Sequence, residues 1–571
     1  MTGVQTCALP ICKAAGLDEH FIAELNVYSQ SRGRTPSVFV FNAFAEGFIA
    51  EGKKFNPTKH QAQLVRDLEN LPQFLCRQDD ILLVHQKPSV EFLSGIKQAG
   101  FPLPEFMELP ERGSASRSKE ATREVGIYFD ASKSNEVAAG RRPALRADGI
   151  SSLTQRKLGS LRPWAWGPDS FELLKPVFAS VTGENRADEN RFNDGLKKLY
   201  SKSWSADFLR KIISCGSRRK AAQTKNDLSQ SLLTSAATDN WLCTENEIGV
   251  AVNSLEETLA AISKIRGRGH HKIVIKESFG VAGSNAIRLF EPALLEAQKR
   301  WLKNAFAHKR ELVIEPWLQR EMDFSVQLEM RADGLKLCGF TGLINDARGQ
   351  FVANFAEPHH HKKIPAKIIS LFNATADRSG SLSPSDGERV GERGFDLAHR
   401  APPLPGPLLH PMEEREKTGN VRGCTSGWLL EFYQTVFEKL EAELRAVDFS
   451  GPIGIDAFVY RDAAGAVKLK PIVEINPRYT MGRVLVELMR QSCQNCFGSF
   501  RLVNPAQLRA DGFENFPDYA KSLAEKFPLQ IEGENPPRIR SSALCLNDPA
   551  TAKVCLAIFG VGKNLEVLAG A

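Results

Sequence analysis

The run GPIGIDAFVY (451–460) is answered, after the connector RDAAGAV, by LKPIVEINPR (469–478). Both runs are apolar and strand-like, and the Ala-Gly tip between them reads as a hairpin turn. A hairpin folded there sets Asp456 beside Glu474. Asn476, two residues past Glu474, shares its face of an extended chain, and Arg478 follows on that face. Two acids on adjacent strands repel when nothing neutralises them, which argues against a purely structural pair. Asp, Glu and Asn oxygens are the hard ligands that Mg²⁺ prefers, and a guanidinium suits phosphate or a developing oxyanion. An acid, an amide and a guanidinium at one strand end are a sensible way to hold a metal ion and a phosphate.

The rest of the chain has to supply a fold that can use such a site. At 571 residues it is too long for one core, so several domains are expected. Hydrophobic residues at 42% and charged residues at 25% are globular values, and a formal charge of +7 is too small to suggest a nucleic-acid partner. No apolar stretch is long enough for a membrane span. Eleven cysteines are scattered, with one CxxC, Cys493 and Cys496, read as two buried thiols on a helix rather than a zinc or redox site. With no secretory signal pattern, a cytoplasmic location is expected.

SVFVFNAF and DDILLVHQ are strand runs, and LVRDLENL and VEFLSGIKQAG have helical spacing, the latter stopping at Gly100. This alternation predicts an α/β N-terminal domain over 36–110, without a GxGxxG dinucleotide loop. Residues 158–213 read as a helical connection. From 239 to 500 strands and helices intersperse as α+β, with SLEETLAAISKI opening on a capping box at Ser254 and Glu257. Residues 501–571 read as an α/β extension. Three segments read as foreign to the fold. Residues 1–12 (MTGVQTCALPIC) resemble translated sequencing adapter, implying a non-native leader. Residues 374–424, with their Pro-, Gly- and charge-rich heart at 380–419, read as a disordered insertion resembling a translated palindromic repeat of a bacterial gene. Residues 111–157 read as a similar insertion or linker. Surface insertions cost only slowly growing loop entropy, so a fold can carry them.

In HKIVIKESFGVAGSNAIRLF, Lys276 ends an apolar strand, and Gly280, Ala282, Gly283 and Ser284 follow before a second strand. Small residues let backbone N–H groups approach an anion, and the lysine neutralises it; the alternative is a plain hairpin. It is not a Walker loop. In ELVIEPWLQREMDFSVQL, Glu315 ends a strand, Trp317 and Leu318 follow, and Asp323 precedes the next strand, in positions suited to an adenine edge and ribose hydroxyls.

Together, Lys276 with its glycine loop, the EPWL hinge, and Asp456 followed by Glu474-Ile-Asn476-Pro-Arg478 resemble the ATP-grasp superfamily over residues 200–500. The resemblance implies an α/β domain ahead of a two-lobed α+β ATP-grasp domain. It implies Lys276 on the α- and β-phosphates, residues 280–284 over the phosphates, Glu315 on the adenine amino group, and Trp317 and Leu318 along the hinge. It places Asp323 on the ribose, with Glu321 as rival, and Lys202 as a second phosphate lysine. Asp456, Glu474 and Asn476 would bind Mg²⁺, with Mn²⁺ as an alternative, and Arg478 would face the γ-phosphate. The implied activity is ligation of a small carboxylate to an amine through an acyl phosphate, with ATP and these small molecules as the only partners. An ATP-dependent phosphotransferase and an inactive nucleotide-binding protein are the alternatives. Substrate-side candidates are Arg348, Asn354, His359, His360, His361, Thr480 and Arg483; the tryptophans of RPWAWGPDS read as packing.

Overall fold

VFVF and ILLV become the two central strands of a parallel sheet because they can be buried on both faces. In the computed structural model, which describes residues 34–109, 149–182, 191–222, 241–280, 286–346, 351–359, 426–533 and 537–563, they are β1 (Ser37–Val40) and β2 (Ile81–Val84). With β3 (Glu105–Glu108) and β4 (Ser160–Pro163) they form a four-stranded sheet in the order β3-β2-β1-β4, all parallel. The helices Lys59–Leu68 and Val90–Gln98 start on hydroxyl caps, Thr58 and Ser89. Gly100 follows the second at φ 85°, a conformation that suits glycine.

β4 corrects the sequence reading. Residues 158–213 are not only a helical connection: Ser160–Pro163 adds an edge strand beside β1, and the helix Lys202–Ala222 comes later. Residues 149–157, counted with the insertion, also belong to this domain, since the helix Gly149–Leu153 buries Leu153 in its core. Residues 1–12, 111–148 and 374–424 lie outside the described residues.

A second, antiparallel sheet has the order β5-β8-β6-β7, from β5 (Val250–Val252), β6 (Ile273–Glu277), β7 (Ala286–Leu289) and β8 (Leu312–Pro316). The helices Leu255–Gly267 and Glu296–Ala307 cover it, placing Ile262, Ile265, Leu302 and Ala305 against Ile273, Ile275 and Ile314. The capping box is modified. Ser254 accepts from the Glu257 amide, but the Glu257 carboxylate returns to the Asn253 amide instead of to Ser254.

The third sheet is antiparallel and has nine strands in the order β13-β12-β9-β10-β11-β14-β17-β16-β15. They are β9 (Gln319–Arg331), β10 (Gly334–Asn345), β11 (Phe351–Ala356), β12 (Gly451–Arg461), β13 (Val467–Asn476), β14 (Phe497–Val503), β15 (Gln530–Glu532), β16 (Arg538–Cys545) and β17 (Leu556–Gly562). Within 501–571, read as an α/β extension, β16 and β17 continue the same sheet through β14. Side chains alternate along β9 with period two. Phe324, Val326 and Leu328 join Tyr433, Val436 and Leu440 of the helix Ser426–Ala446 in one core. On the opposite face the helix Met481–Arg490 sends Val484, Leu485 and Leu488 into a core shared with Phe39, Leu82 and Val84 of the parallel sheet. That shared core fixes the N-terminal domain against the large sheet.

Candidate functional site

The face of β9 that carries Asp323 and Ser325 opens into a cleft of about 440 Å³, bounded by the small sheet on one side and by β12 and β13 on the other. The hairpin register puts Asp456 opposite Glu474, and β9 puts Ser325 opposite Asp456. The Asn476 amide donates to Asp456 Oδ2 at 3.0 Å. Burial, reinforced by the Glu474 charge, raises the Asp456 pKa to about 6.

Lys202 opens the helix Lys202–Ala222, with its backbone amide bonded to the Ser278 carbonyl at 2.9 Å. Its ammonium stands 3.0 Å from Glu474 Oε1 and donates to the Gly280 carbonyl at 2.8 Å. Thus Lys202, the start of the glycine loop and the Asp456–Glu474 pair meet at one point. Gly283 and Ser284 lie outside the described residues, as do Ala282, Arg348, His360 and His361.

Lys276 on β6 reaches across to Glu315 on β8, making an ion pair. Glu315 holds a second lysine through its other oxygen: Lys470 of β13, at 2.7 Å, which also donates to the Glu247 carbonyl at 2.9 Å. Burial would raise the Glu315 pKa, yet Lys276 and Lys470 outweigh it and hold the carboxyl well below the usual range. Burial lowers Lys276, with Arg320 adding to it against the pull of Glu315. The Glu315 carboxylate thus faces two ammonium groups. Lys470 was missed in the sequence; its only signal is a second lysine, two residues after Lys468, in the strand run VKLKPIVEI.

Beyond β8, the Trp317 amide donates to the Lys272 carbonyl at 2.8 Å, and its ring lies in the cleft wall with the Arg288 and Arg320 guanidiniums 5.4 and 5.5 Å from its centroid. Leu318 instead packs into the large core, away from the cleft lining. Asp323 lines the cleft, held by Arg320 at 3.1 Å and by the Asn345 amide at 2.9 Å. Its rival Glu321 is paired with Arg461 at 2.9 Å and lies outside the lining.

Arg478 donates through Nε to Glu46, on the helix Ala45–Glu51 of the N-terminal domain, at 2.5 Å. Burial opposes its charge, but Glu46 more than compensates and raises its pKa. The other Glu46 oxygen is buried without a hydrogen-bond partner among the described residues. Glu46 too was missed, because nothing local distinguishes an acid more than four hundred residues from its partner. Nearby, Asn42 donates to the Ala165 carbonyl at 2.9 Å and receives the Ala165 amide at 3.0 Å. This stitches the carboxyl ends of β1 and β4, the point where strand order reverses and where open α/β sheets bind ligands.

Of the substrate-side candidates, Asn354 is buried in the cleft wall and donates to the Gly342 carbonyl at 3.3 Å. Thr480 caps the helix Met481–Arg490 and donates to Gln327 at 2.7 Å. Arg483 turns away from the cleft, toward Glu329 at 2.8 Å. His359, at φ 60°, ends its described stretch. Trp164 packs edge-on to Phe41 with ring centroids 4.8 Å apart, and also lines the cleft. Cys493 and Cys496 are free thiols in the turn after the helix, not on it.

Among the described residues no cluster of three His, Cys, Asp or Glu side chains converges. The candidate metal set is two carboxylates and an amide. That donor set fits a hard divalent cation: the acids are apposed and oxygen-rich, and the Lys202 ammonium already sits against Glu474.

Neither a protein-family model nor a curated protein matches the chain. Among solved structures, it is similar to N5-carboxyaminoimidazole synthetase from Staphylococcus aureus complexed with ADP, at 9% identity and a TM-score of 0.40, over 94% of this chain and 95% of that one. It is also similar to a biotin carboxylase–ATP complex from Campylobacter jejuni, at 10% identity and a TM-score of 0.39, over 94% and 90%. A third is N5-carboxyaminoimidazole synthase from Aspergillus clavatus in complex with ADP and 5-aminoimidazole ribonucleotide, at 9% identity and a TM-score of 0.36, over 86% and 95%.

Proposed function

We propose that the chain is an ATP-grasp enzyme, a Mg²⁺- and ATP-dependent ligase that activates a small carboxylate as an acyl phosphate for attack by an amine. The observation that carries this reading is the register of β12 and β13. It apposes Asp456 and Glu474, with Asn476, on the floor of a cleft that also gathers Lys202, Lys276, Trp317, Asp323 and Arg478. The adenine would lie against Trp317, the ribose against Asp323, and the phosphates between Lys276 and Lys202.

Asp456, Glu474 and Asn476 are the residues that would hold Mg²⁺, or Mn²⁺ in its place; when bound, the ion supplies charge neutralisation to the polyphosphate. Lys202 and Lys276 bind and orient the phosphoryl groups, and Arg478 faces the transferring one. A substrate carboxylate oxygen attacks the γ-phosphorus while the bond to the β-phosphate oxygen breaks and ADP leaves with that electron pair. The amine nitrogen then adds to the acyl carbon, inorganic phosphate departs, and the nitrogen loses its proton to solvent. No protein nucleophile is required, so catalysis rests on positioning and electrostatics.

The test is ADP release by purified protein with Mg-ATP, screened against pools of amino acids and small carboxylic acids. ADP formation stimulated by one acid–amine pair, with an amide product, supports ligation. A stable phosphorylated product without amine dependence replaces it with phosphotransfer. Failure to bind Mg-ATP overturns the reading altogether.

A further inference from the structure

A second cavity, of about 660 Å³, lies on the far side of the chain segment that carries Arg478. Trp164 and Arg478 line both it and the nucleotide cleft, so the two spaces share one wall. Among the described residues eight arginines line it against three acids, Asp80, Asp333 and Glu487. Arg34, Arg77, Arg162, Arg331, Arg483 and Arg490 face it from five separate chain segments. Arg34 is matched by Asp79 and Asp80, each at 2.7 Å, but the arginines packed around Glu329 are short of counter-charge. Arg162 and Arg483 share the single buried carboxylate Glu329, at 2.9 and 2.8 Å, and Arg483 and Arg490 share Glu487, at 2.9 and 2.7 Å. Three guanidiniums thus divide two carboxylates. Arg77 and Arg331 stand exposed on the rim, with no side-chain ion pair to a described residue.

The floor is also preorganised. Arg162 donates to the Tyr479 hydroxyl at 3.1 Å and lies 6.0 Å over the Phe39 ring, while its side chain stays 37% exposed. A guanidinium locked on two sides and open on a third is poised for a planar or tetrahedral oxyanion. Structural pairing alone does not require a cavity of ligand size whose lining holds more arginines than acids, with Arg77 and Arg331 left outside every ion pair among the described residues.

We infer that this arginine-lined cavity is the binding site for the anionic end of the substrate, a phosphate or a second carboxylate, whose reactive carboxylate emerges at Arg478. The assignment of the reactive end rests on the proposed ligase reading; the anion site itself does not. The substrate class is therefore a small polyanion, not a simple amino acid or a monocarboxylate.

The test titrates inorganic phosphate and, separately, citrate into the full chain by calorimetry, alone and with a non-hydrolysable Mg-ATP analogue saturating the cleft. The variant is R77E/R331E, two exposed rim positions that leave the core untouched. Phosphate or citrate should bind the wild type with the analogue present, and the double substitution should weaken that binding by about a hundredfold, near tenfold per charge-assisted contact. Phosphate alone binding would specify a phosphorylated substrate, and citrate alone a polycarboxylate. Binding of neither, or binding untouched by R77E/R331E, overturns the anion site. If the analogue fails to bind while the anion still does, the ligase reading falls and the cavity assignment stands.

Discussion

Replacing Asp456 by Asn separates the cost of the proposed metal site from its use. Asp456 has an ordinary pKa of 3.8 and a folded-state value of about 6, raised by burial and by Glu474. An acid whose folded pKa lies above its unfolded one favours the fold when protonated, so its charge costs stability as pH rises from about 4 to about 6, and the full cost persists above. A gap of about two units corresponds to about 3 kcal/mol at pH 8 and roughly half that at pH 5. Asn keeps the acceptor for the Asn476 amide, which now bonds Asp456 Oδ2 at 3.0 Å, and removes the charge, turning the second oxygen into a donor that the Ser325 hydroxyl can accept. Metal-free D456N should therefore be more stable than the wild type by about 3 kcal/mol at pH 8, or about 5 °C in Tm. The gain should halve at pH 5. Chemical denaturation at the two pH values, in chelator, measures it. A D456N protein that is less stable at both, or equally stabilised at both, would refute the claim that burial beside Glu474 raises the Asp456 carboxyl.

Three further outcomes follow from the same geometry. E474A should lower Mg-dependent ADP release by about a hundredfold or more with the circular dichroism of the fold unchanged; wild-type activity would sink the site assignment. K470M leaves buried Glu315 with a single lysine and should cost about 3 kcal/mol in urea unfolding; a neutral K470M would show the pair to be energetically idle. Deleting 380–419 should leave Mg-ATP affinity unchanged, so a folded deletion that has lost binding would show that the segment serves the cleft.

What the sequence made legible was whatever its local period encodes. The β12–β13 hairpin could be read because both runs are apolar and the connector is short, and the pairing of Asp456 with Glu474 follows from that register. β1, β2 and their capped helices were legible for the same reason. β4 was not: SLRP has a single clearly apolar side chain, and only the neighbouring β1 makes it a strand. In β17 the run LAIFGVG is apolar and buried throughout, but nothing in it names β14 as its partner or places it in the central sheet. Glu46 and Lys470 escaped notice because their importance lies in partners distant in sequence, Arg478 and Glu315.

Those partners change how the cleft must work. Three cations facing the proposed nucleotide space are each engaged by an acid of the chain itself: Lys202 by Glu474, Lys276 by Glu315, and Arg478 by Glu46. A polyanion entering the cleft gains an ammonium only by weakening one of these pairs, and losing Lys202 would leave Glu474 facing Asp456 with less compensation. On the proposed reading, free nucleotide would bring more negative charge to that pair, whereas the divalent complex would bring counter-charge and leave Lys202 free for the phosphates. The affinity for Mg-ATP should accordingly exceed that for ATP in chelator by about tenfold or more, the equivalent of one charge-assisted contact. In D456N, where the repulsion is gone, the gap should narrow mainly because the metal complex binds less tightly. Equilibrium titration of both nucleotide forms against both proteins decides it: equal affinities in the wild type would mean that the two carboxylates do not sense the ion at all.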